Sequence, residues 1–362
     1  MRHVALALIL NLTWLVPMAQ SAVKSPPVYQ GMPIEAIDIH QHPGRFETMG
    51  PLGQEFVLKV LPEFIPDFLK RWSLSTLSKF MLDPYGPFIG IKTECEKAGL
   101  SRCGLFAVYA PETWGVTSNE EVLAFLQDKR NQDQHGHPYF FGLASVSMQN
   151  LLLNEEAELA RLRSMLQKPL FKGVKLAFIH NNIPLDDERF NGIYTVAAQF
   201  KAPVYHHIGS SPLRSLSDFV TEEEKEHYIA SYDPSRLEKV IAANPEVPFI
   251  LGHMGYDFLK EGYDFVPKVY DLAKRYPNVY LEISAFARSS YDPDGSQMDR
   301  ILSAIKAEGL IDRTIYGSDG PGSPSATKKY LEATLRSMDR VGYTYDEAEA
   351  VLSRNSKLLF QL

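Results

Sequence analysis

Two histidines, His40 and His42, close a short apolar run in the stretch IDIHQHPG. Side chains two apart on a strand share a face and sit roughly 6–7 Å apart along the chain. Both rings can then reach one ion, each through a neutral ring nitrogen. A pair at this spacing also recurs by chance. The other histidines, out of ten in the chain, give it weight. His206 and His207 end the run PVYHHIG, His253 ends FILGHMG, and Asp319 closes IYGSD. Three histidines and one carboxylate form a zinc-like donor set that leaves a position for water or substrate.

Such a set needs elements that bring distant strand ends together. EAIDIH, CGLFAVYA, YFFGLASV, FKGVKLAF, APVYHH, VPFILGH, NVYLEIS and RTIYGSD read as strands, short and rich in β-branched and aromatic residues. Amphipathic stretches such as NEEVLAFLQDKRN, EEAELARLRSML and GSQMDRILSAIKAEG separate them, with Asn119 and Asp233 as helix starts and Gly309 as a stop. Eight strands alternating with helices predict an α/β fold, most simply a (β/α)8 TIM barrel whose strand ends meet at one mouth. An open doubly wound sheet is the alternative, but HQHPGRF is not a glycine-rich phosphate loop. A Pro-punctuated apolar insertion at about 45–87 breaks the rhythm after the first strand and reads as a helical cap over the mouth. A second insertion after the fifth strand, from His206 to Pro234, could join the rim.

The 362 residues carry a net charge of −7 without a long basic block, which argues against a nucleic-acid partner. Residues 1–21 have the form of a signal peptide: MRH, then the apolar VALALILNLTWL, then small residues at Ala19 and Ser21. The apolar run is too short for a stable membrane anchor, which needs ~20 residues. The expectation is export to a periplasmic or secreted location. Residues 22–33 then form a linker, and 34–362 a single domain. Cys95 and Cys103 could pair in such a compartment if the fold brings them together.

Taken in order, IDIHQH, GVKL, PVYHHIG, LGHMG, NVYLEIS, IYGSD and the closing RNSKLLF resemble the amidohydrolase-related family. The branch in question is that of the aminocarboxymuconate-semialdehyde decarboxylase-like enzymes, within the metal-dependent hydrolase superfamily. The resemblance spans roughly 34–362. It implies one divalent metal, zinc or alternatively manganese, held by His40, His42, His207 and Asp319. It favours His207 over His206 as ligand, and leaves His206 as a substrate contact. It gives Asp319 a second role in proton transfer and places His253 beside the metal, polarising substrate or orienting the attacking water. Lys175 occupies the fourth-strand position that carries a bridging carbamylated lysine in some superfamily members; with one metal, a structural or substrate-binding lysine is favoured. Relatives follow the eighth-strand aspartate with a large residue and then Pro, whereas Gly320, Pro321 and Gly322 stand here, which predicts a roomier mouth. Arg45 and Arg288 follow the first and seventh strands, where a guanidinium can clamp a substrate carboxylate. His180 is a further rim candidate. His135, His137 and His227 read as surface residues, and His3 leaves with the signal.

These residues predict a hydrolase of a small ester, lactone or amide. Metal-activated water attacks, Asp319 moves the proton and His253 stabilises the oxyanion. The same branch also performs non-oxidative decarboxylation of small carboxylic acids, which stays open as the alternative. A metal-free lactonase and a non-catalytic binding barrel are disfavoured by the full ligand set. The expected partner is a small molecule, and a homodimer is compatible with the sequence.

Overall fold

The computed structural model describes residues 25–60, 64–80, 86–320 and 325–362. The expected signal peptide, and Pro321 and Gly322 at the mouth, lie outside the described residues. Eight parallel strands form one sheet in sequential order: β1 (Ile37–Gln41), β2 (Arg102–Phe106), β3 (Phe140–Ala144), β4 (Phe171–Leu176), β5 (Val204–His207), β6 (Phe249–Gly252), β7 (Val279–Ile283) and β8 (Thr314–Tyr316). Each matches one of the runs picked out by composition. The last and first strands meet through a single bridge, Gln41 to Gly320. Around it, His42 N–H donates to Gly320 O at 2.9 Å and Gly320 N–H to His40 O at 3.1 Å. The sheet is therefore a nearly closed (β/α)8 barrel.

Period-two alternation sorts the strand residues into two cores. Outward residues such as Val174, Leu176, Val204, Leu251 and Leu281 pack under the helices. Inward residues, among them Ile37, Ile39, Phe106, Leu143, Tyr205, Ile250 and Ile315, fill the lumen. The helices follow the predicted periodicity: Glu155–Leu166 and Ser296–Ala307 fall where their patterns placed them. Gly309 sits after the latter at φ +68°, a conformation glycine adopts freely. Asp233 caps its helical turn through Ser235 N–H. The cap of the helix Asn119–Gln127, however, is Ser118, which exchanges bonds with Glu121 in a capping box. Asn119 instead ties down Ser145 after β3, through its N–H at 2.8 Å and its carbonyl at 2.8 Å.

The insertion after β1 forms two helices, Pro51–Val60 and Asp67–Phe80. The first docks on the segment after β2: Leu52 and Gly53 N–H donate to Glu112 O and Thr113 O at 3.1 and 3.2 Å. Arg214, in the insertion after β5, reaches Glu112 at 3.1 Å and joins the two insertions. In the stretch expected as a linker, Val28–Tyr29 and Met32–Pro33 pair as a small hairpin, and the buried Tyr29 hydroxyl donates to Tyr343 O at 2.8 Å. Cys95 and Cys103 are both buried, adjacent and unbridged, and burial pushes both thiols up.

Candidate metal centre

His40 owes its position to an irregularity in β1. Ile37 pairs with Arg102 and Asp38 with Cys103, but Gln41 pairs with Leu105, so β1 carries one extra residue. Plain alternation would turn His40 outward with Asp38. The extra residue returns it to the lumen beside Ile39 and leaves Gln41 outside with Asp38. There the His40 ring stacks on Phe106, centroids 4.5 Å apart, and meets Tyr205 edge-on at 5.0 Å.

Three donor atoms converge at this point. His40 Nε2 and His42 Nε2 lie 2.9 Å apart, and each is 3.3 Å from Asp319 Oδ1. Two donors bound ~2.1 Å from one ion at angles of ~90–105° sit ~3.0–3.3 Å apart, so the triangle fits a divalent metal. Burial holds both rings neutral, with His40 down to about 3 and His42 to about 4, which keeps a lone pair on each ring for an ion. Burial alone would raise the Asp319 carboxyl, but Arg288 and then His40 hold it well below the usual range. Arg288 Nη2 donates to Asp319 Oδ2 at 3.2 Å, to Asp319 O and to Ser318 O. Asp319 is in the left-handed region at φ +56°, as are His253 at +59° and Met254 at +57°. Such non-glycine strain, roughly 1 kcal/mol or more each, clusters at functional sites.

Glu282 on β7 organises the surroundings, and no sequence reading had singled it out. It is fully buried. Oε1 lies 3.0 Å from His40 Nδ1. Oε2 accepts from Ser284 Oγ at 2.6 Å, His253 N–H at 3.1 Å and the Tyr205 hydroxyl at 3.2 Å. Burial pushes its carboxyl up to about 7 against these donors. Two glycines make the room. A Cβ on Gly317 would meet Glu282 Oε1 at 2.0 Å, and one on Gly252 would meet the Tyr205 hydroxyl at 1.9 Å. Among the described residues, the three-residue groups whose donor atoms all lie within 4.8 Å of one another are His40, His42, Asp319 and His40, His253, Glu282.

The remaining predicted residues divide. His207 faces the lumen against His253, centroids 4.3 Å apart, but its Nε2 lies 3.3 Å from Ser210 O and it joins neither group. His180, buried after β4, meets His207 edge-on at 5.1 Å. Lys175 is buried in the lumen with Nζ 4.2 Å from the Tyr205 ring centroid; burial lowers it to about 7 while Asp319 and Glu282 oppose the shift. Arg288 engages Asp319 rather than standing free as a clamp. Arg45 is exposed at the start of the cap. His206, expected to contact substrate, does not reach the lumen. Alternation turns it outward, where it stacks between Phe178, Tyr194 and Phe249 at 5.7–5.9 Å. His135, His137 and His227 are exposed, as expected.

Solved structures share this architecture. An uncharacterised TIM-barrel protein from Bordetella bronchiseptica aligns with a TM-score of 0.61 at 16% identity, over 91% of this chain and 99% of its own. A probable 2-pyrone-4,6-dicarboxylic acid hydrolase from Acinetobacter baumannii gives 0.51 at 16% identity, over 91% and 100%. A 5-carboxyvanillate decarboxylase from Novosphingobium aromaticivorans, complexed with manganese and a nitrobenzoic acid, gives 0.53 at 16% identity, over 96% and 100%. At these identities the likeness is one of fold. No curated protein sequence matches the chain. Residues 134–362 match the amidohydrolase family, a span that includes Glu282, His253 and Asp319 and leaves His40 and His42 outside. With that match over most of its length, on a barrel that gathers the donors at one mouth, the chain belongs to the amidohydrolase family and is an enzyme.

Proposed function

We propose that the chain is an exported metal-dependent hydrolase of a small ester, lactone or amide. The observation that carries this reading is the triangle of His40 Nε2, His42 Nε2 and Asp319 Oδ1, with edges of 2.9–3.3 Å. Three donor atoms at these separations can share one divalent ion. A divalent ion held there, zinc or manganese, supplies Lewis-acid chemistry, acidifying water and polarising a carbonyl. His207, two residues beyond Tyr205 and on the same inward face, is the fourth donor the sequence leads one to expect; its Nε2 lies against Ser210 O and stands outside the triangle.

The hydrogen-bond network around Glu282 supports a division of the proton work. With Glu282 ionised, Ser284 Oγ–H donates to it at 2.6 Å, so Ser284 accepts from His253 Nδ1–H at 2.8 Å. That tautomer leaves His253 Nε2 with its lone pair. His253 therefore orients the attacking water, takes its proton and returns it to the leaving group. Asp319, the acceptor expected from the sequence, is kept ionised by Arg288 and serves better as a donor to the ion than as a base. Lys175, buried and cationic or neutral near pH 7, sits where it can meet a substrate oxygen.

Decarboxylation of a small acid is the second reading. It is favoured by the likeness to a manganese-complexed decarboxylase. The test is elemental mass spectrometry of purified wild type beside His42→Ala, followed by a screen of esters, lactones and acids. About one zinc or manganese per wild-type chain, lost in the variant, is the expected result. Carbon dioxide release without ester or lactone cleavage would select the second reading. A wild type that holds no metal after reconstitution would overturn both.

A further inference from the structure

Two side chains on the β4–β5 wall of the lumen have polar ends that the protein leaves unused. Lys175 points inward from β4, level with Tyr205 on β5, and is 2% exposed. Its Nζ lies over two aromatic rings, 4.2 Å from the Tyr205 centroid and 5.5 Å from that of Phe106. Among the described residues it has no hydrogen bond and no ion pair, and it is not closed off from solvent. His180, 6% exposed, packs edge-on against His207 at 5.1 Å. Among the described residues neither of its ring nitrogens has a hydrogen bond, and neither is closed off. Burial, then His207, Lys175 and His42, disfavour a charge on this ring, so it shares the lumen with them and keeps one N–H to donate. Buried polar groups in native structures are met by protein or by ordered water, and a buried amine without an acceptor marks a place for a ligand.

The carboxylates nearby do not supply that acceptor. Asp319 faces His40 and His42 with Oδ1 and takes Arg288 on Oδ2. Glu282 is enclosed by His40, Tyr205, Ser284 and His253. Both pull the Lys175 amine up, yet burial outweighs them and leaves it at about 7. With a divalent ion on Asp319 the lumen gains charge of the same sign as Lys175, and an incoming carboxylate offsets it while giving the ammonium its acceptor. The Tyr205 ring ties this wall to the metal donors: Lys175 Nζ stands over it, and its centroid is 5.0 Å from the His40 ring. On the other side, His207 is 4.3 Å from His253, which is 5.2 Å from His40. A small molecule held at the donors therefore spans to the wall.

We infer that the substrate carries a carboxylate, which seats on Lys175 with His180 at its flank, while the reacting end lies at His40, His42 and Asp319. Lys175 then selects for charge. A neutral analogue leaves the buried amine unpaired, which costs more than the bond it fails to make. The place of the reacting end rests on the metal centre proposed above; the seat on Lys175 does not, and the two can fail separately.

The experiment is calorimetric titration of succinate and of succinamate into metal-loaded protein. The two probes have the same shape, but succinamate has a neutral amide in place of one carboxylate. Each can offer a carboxylate to the metal, and only succinate has a second one for Lys175. Wild type is compared with Lys175→Met and His42→Ala, each checked for folding by its melting curve. Methionine covers the Tyr205 ring as the lysine stem does, without the charge. Wild type should bind succinate about tenfold or more tighter than succinamate, and Lys175→Met should bind the two within about threefold of each other. Equal binding of the two probes by wild type overturns the inference without recourse to any variant, as does the absence of saturable succinate binding. A preference for succinate that survives intact in Lys175→Met also overturns it, since the second carboxylate would then sit elsewhere. Binding of both probes by His42→Ala as by wild type would count against the metal centre and leave the seat on Lys175 standing.

Discussion

Glu282 Oε1 lies 3.0 Å from His40 Nδ1, on the far side of the ring from the nitrogen that faces His42 and Asp319. With Glu282 ionised, that contact sets the tautomer: Nδ1–H donates to Glu282, and the Nε2 lone pair is left for an ion. It also fixes the ring plane, because Phe106 stacks on one face at 4.5 Å. Glu282 thus orients His40 without contributing one of the three atoms in the triangle.

Glu282→Gln tests that control. The side chain keeps its shape but offers one acceptor and one donor where four donors now converge. Whichever way the amide turns, its NH2 faces a donor: the His40 Nδ1–H on one side, or the Ser284 hydroxyl and His253 N–H on the other. Metal affinity is expected to fall ~10–100-fold, read by competition against a chelator, with the barrel still folded. Affinity unchanged within about threefold would mean that stacking on Phe106 alone orients His40.

Asp38 gives a pH dependence. Its Oδ1 accepts from His40 and Ser318 N–H at 3.0 Å each, and Oδ2 from Gln41 Nε2 and Ser318 Oγ at 2.6 Å each. It therefore helps close the barrel between β1 and β8. Burial outweighs these bonds and raises its carboxyl from 3.8 to about 6. The folded state then prefers the protonated form. Its contribution to stability is complete below about pH 4 and is lost as the pH rises through about 6. Asp38→Asn does not titrate, and Gln41 Oε1, which has no partner, can turn to accept the new amide. The variant's stability relative to wild type should rise between about pH 4 and 7, by ~3 kcal/mol at most. Melting curves across that range check it; a difference that stays flat would show Asp38 ionised throughout.

The strands were legible because each is a short apolar run between turn residues, and the helices because their apolar faces repeat. The position of His42 and Asp319 at strand ends was legible for the same reason. What brings His40 into the lumen was not. One extra residue in β1 decides it, and no composition signal marks a bulge between Asp38 and Gln41. Glu282 was visible in NVYLEIS, sharing parity with Tyr280 and Ser284, yet a carboxylate between Leu281 and Ile283 reads as an anomaly until its donors are known. Apart from Ser284, those donors come from Tyr205, His253 and His40, far away in sequence. His206 failed for a simpler reason: two adjacent histidines on a strand cannot face the same way, and the run PVYHH does not say which one turns in.

His206→Phe separates those two histidines by experiment. The ring already stacks among Phe178, Tyr194 and Phe249, and burial holds it neutral, down to about 3. Its Nδ1 is buried without a partner, and its Nε2 makes only a 3.4 Å contact with the Tyr194 hydroxyl. Phenylalanine fills the same space and removes the orphaned nitrogen. Metal content should not change, turnover should stay within about twofold, and stability by denaturant unfolding should hold within ~1 kcal/mol or rise. His207→Phe, one residue on, puts an apolar ring against His253 in the lumen and should cost turnover about 100-fold or more. If His206→Phe instead loses its metal while His207→Phe keeps it, β5 faces the other way, and the inward side of the barrel has to be redrawn from that strand outward.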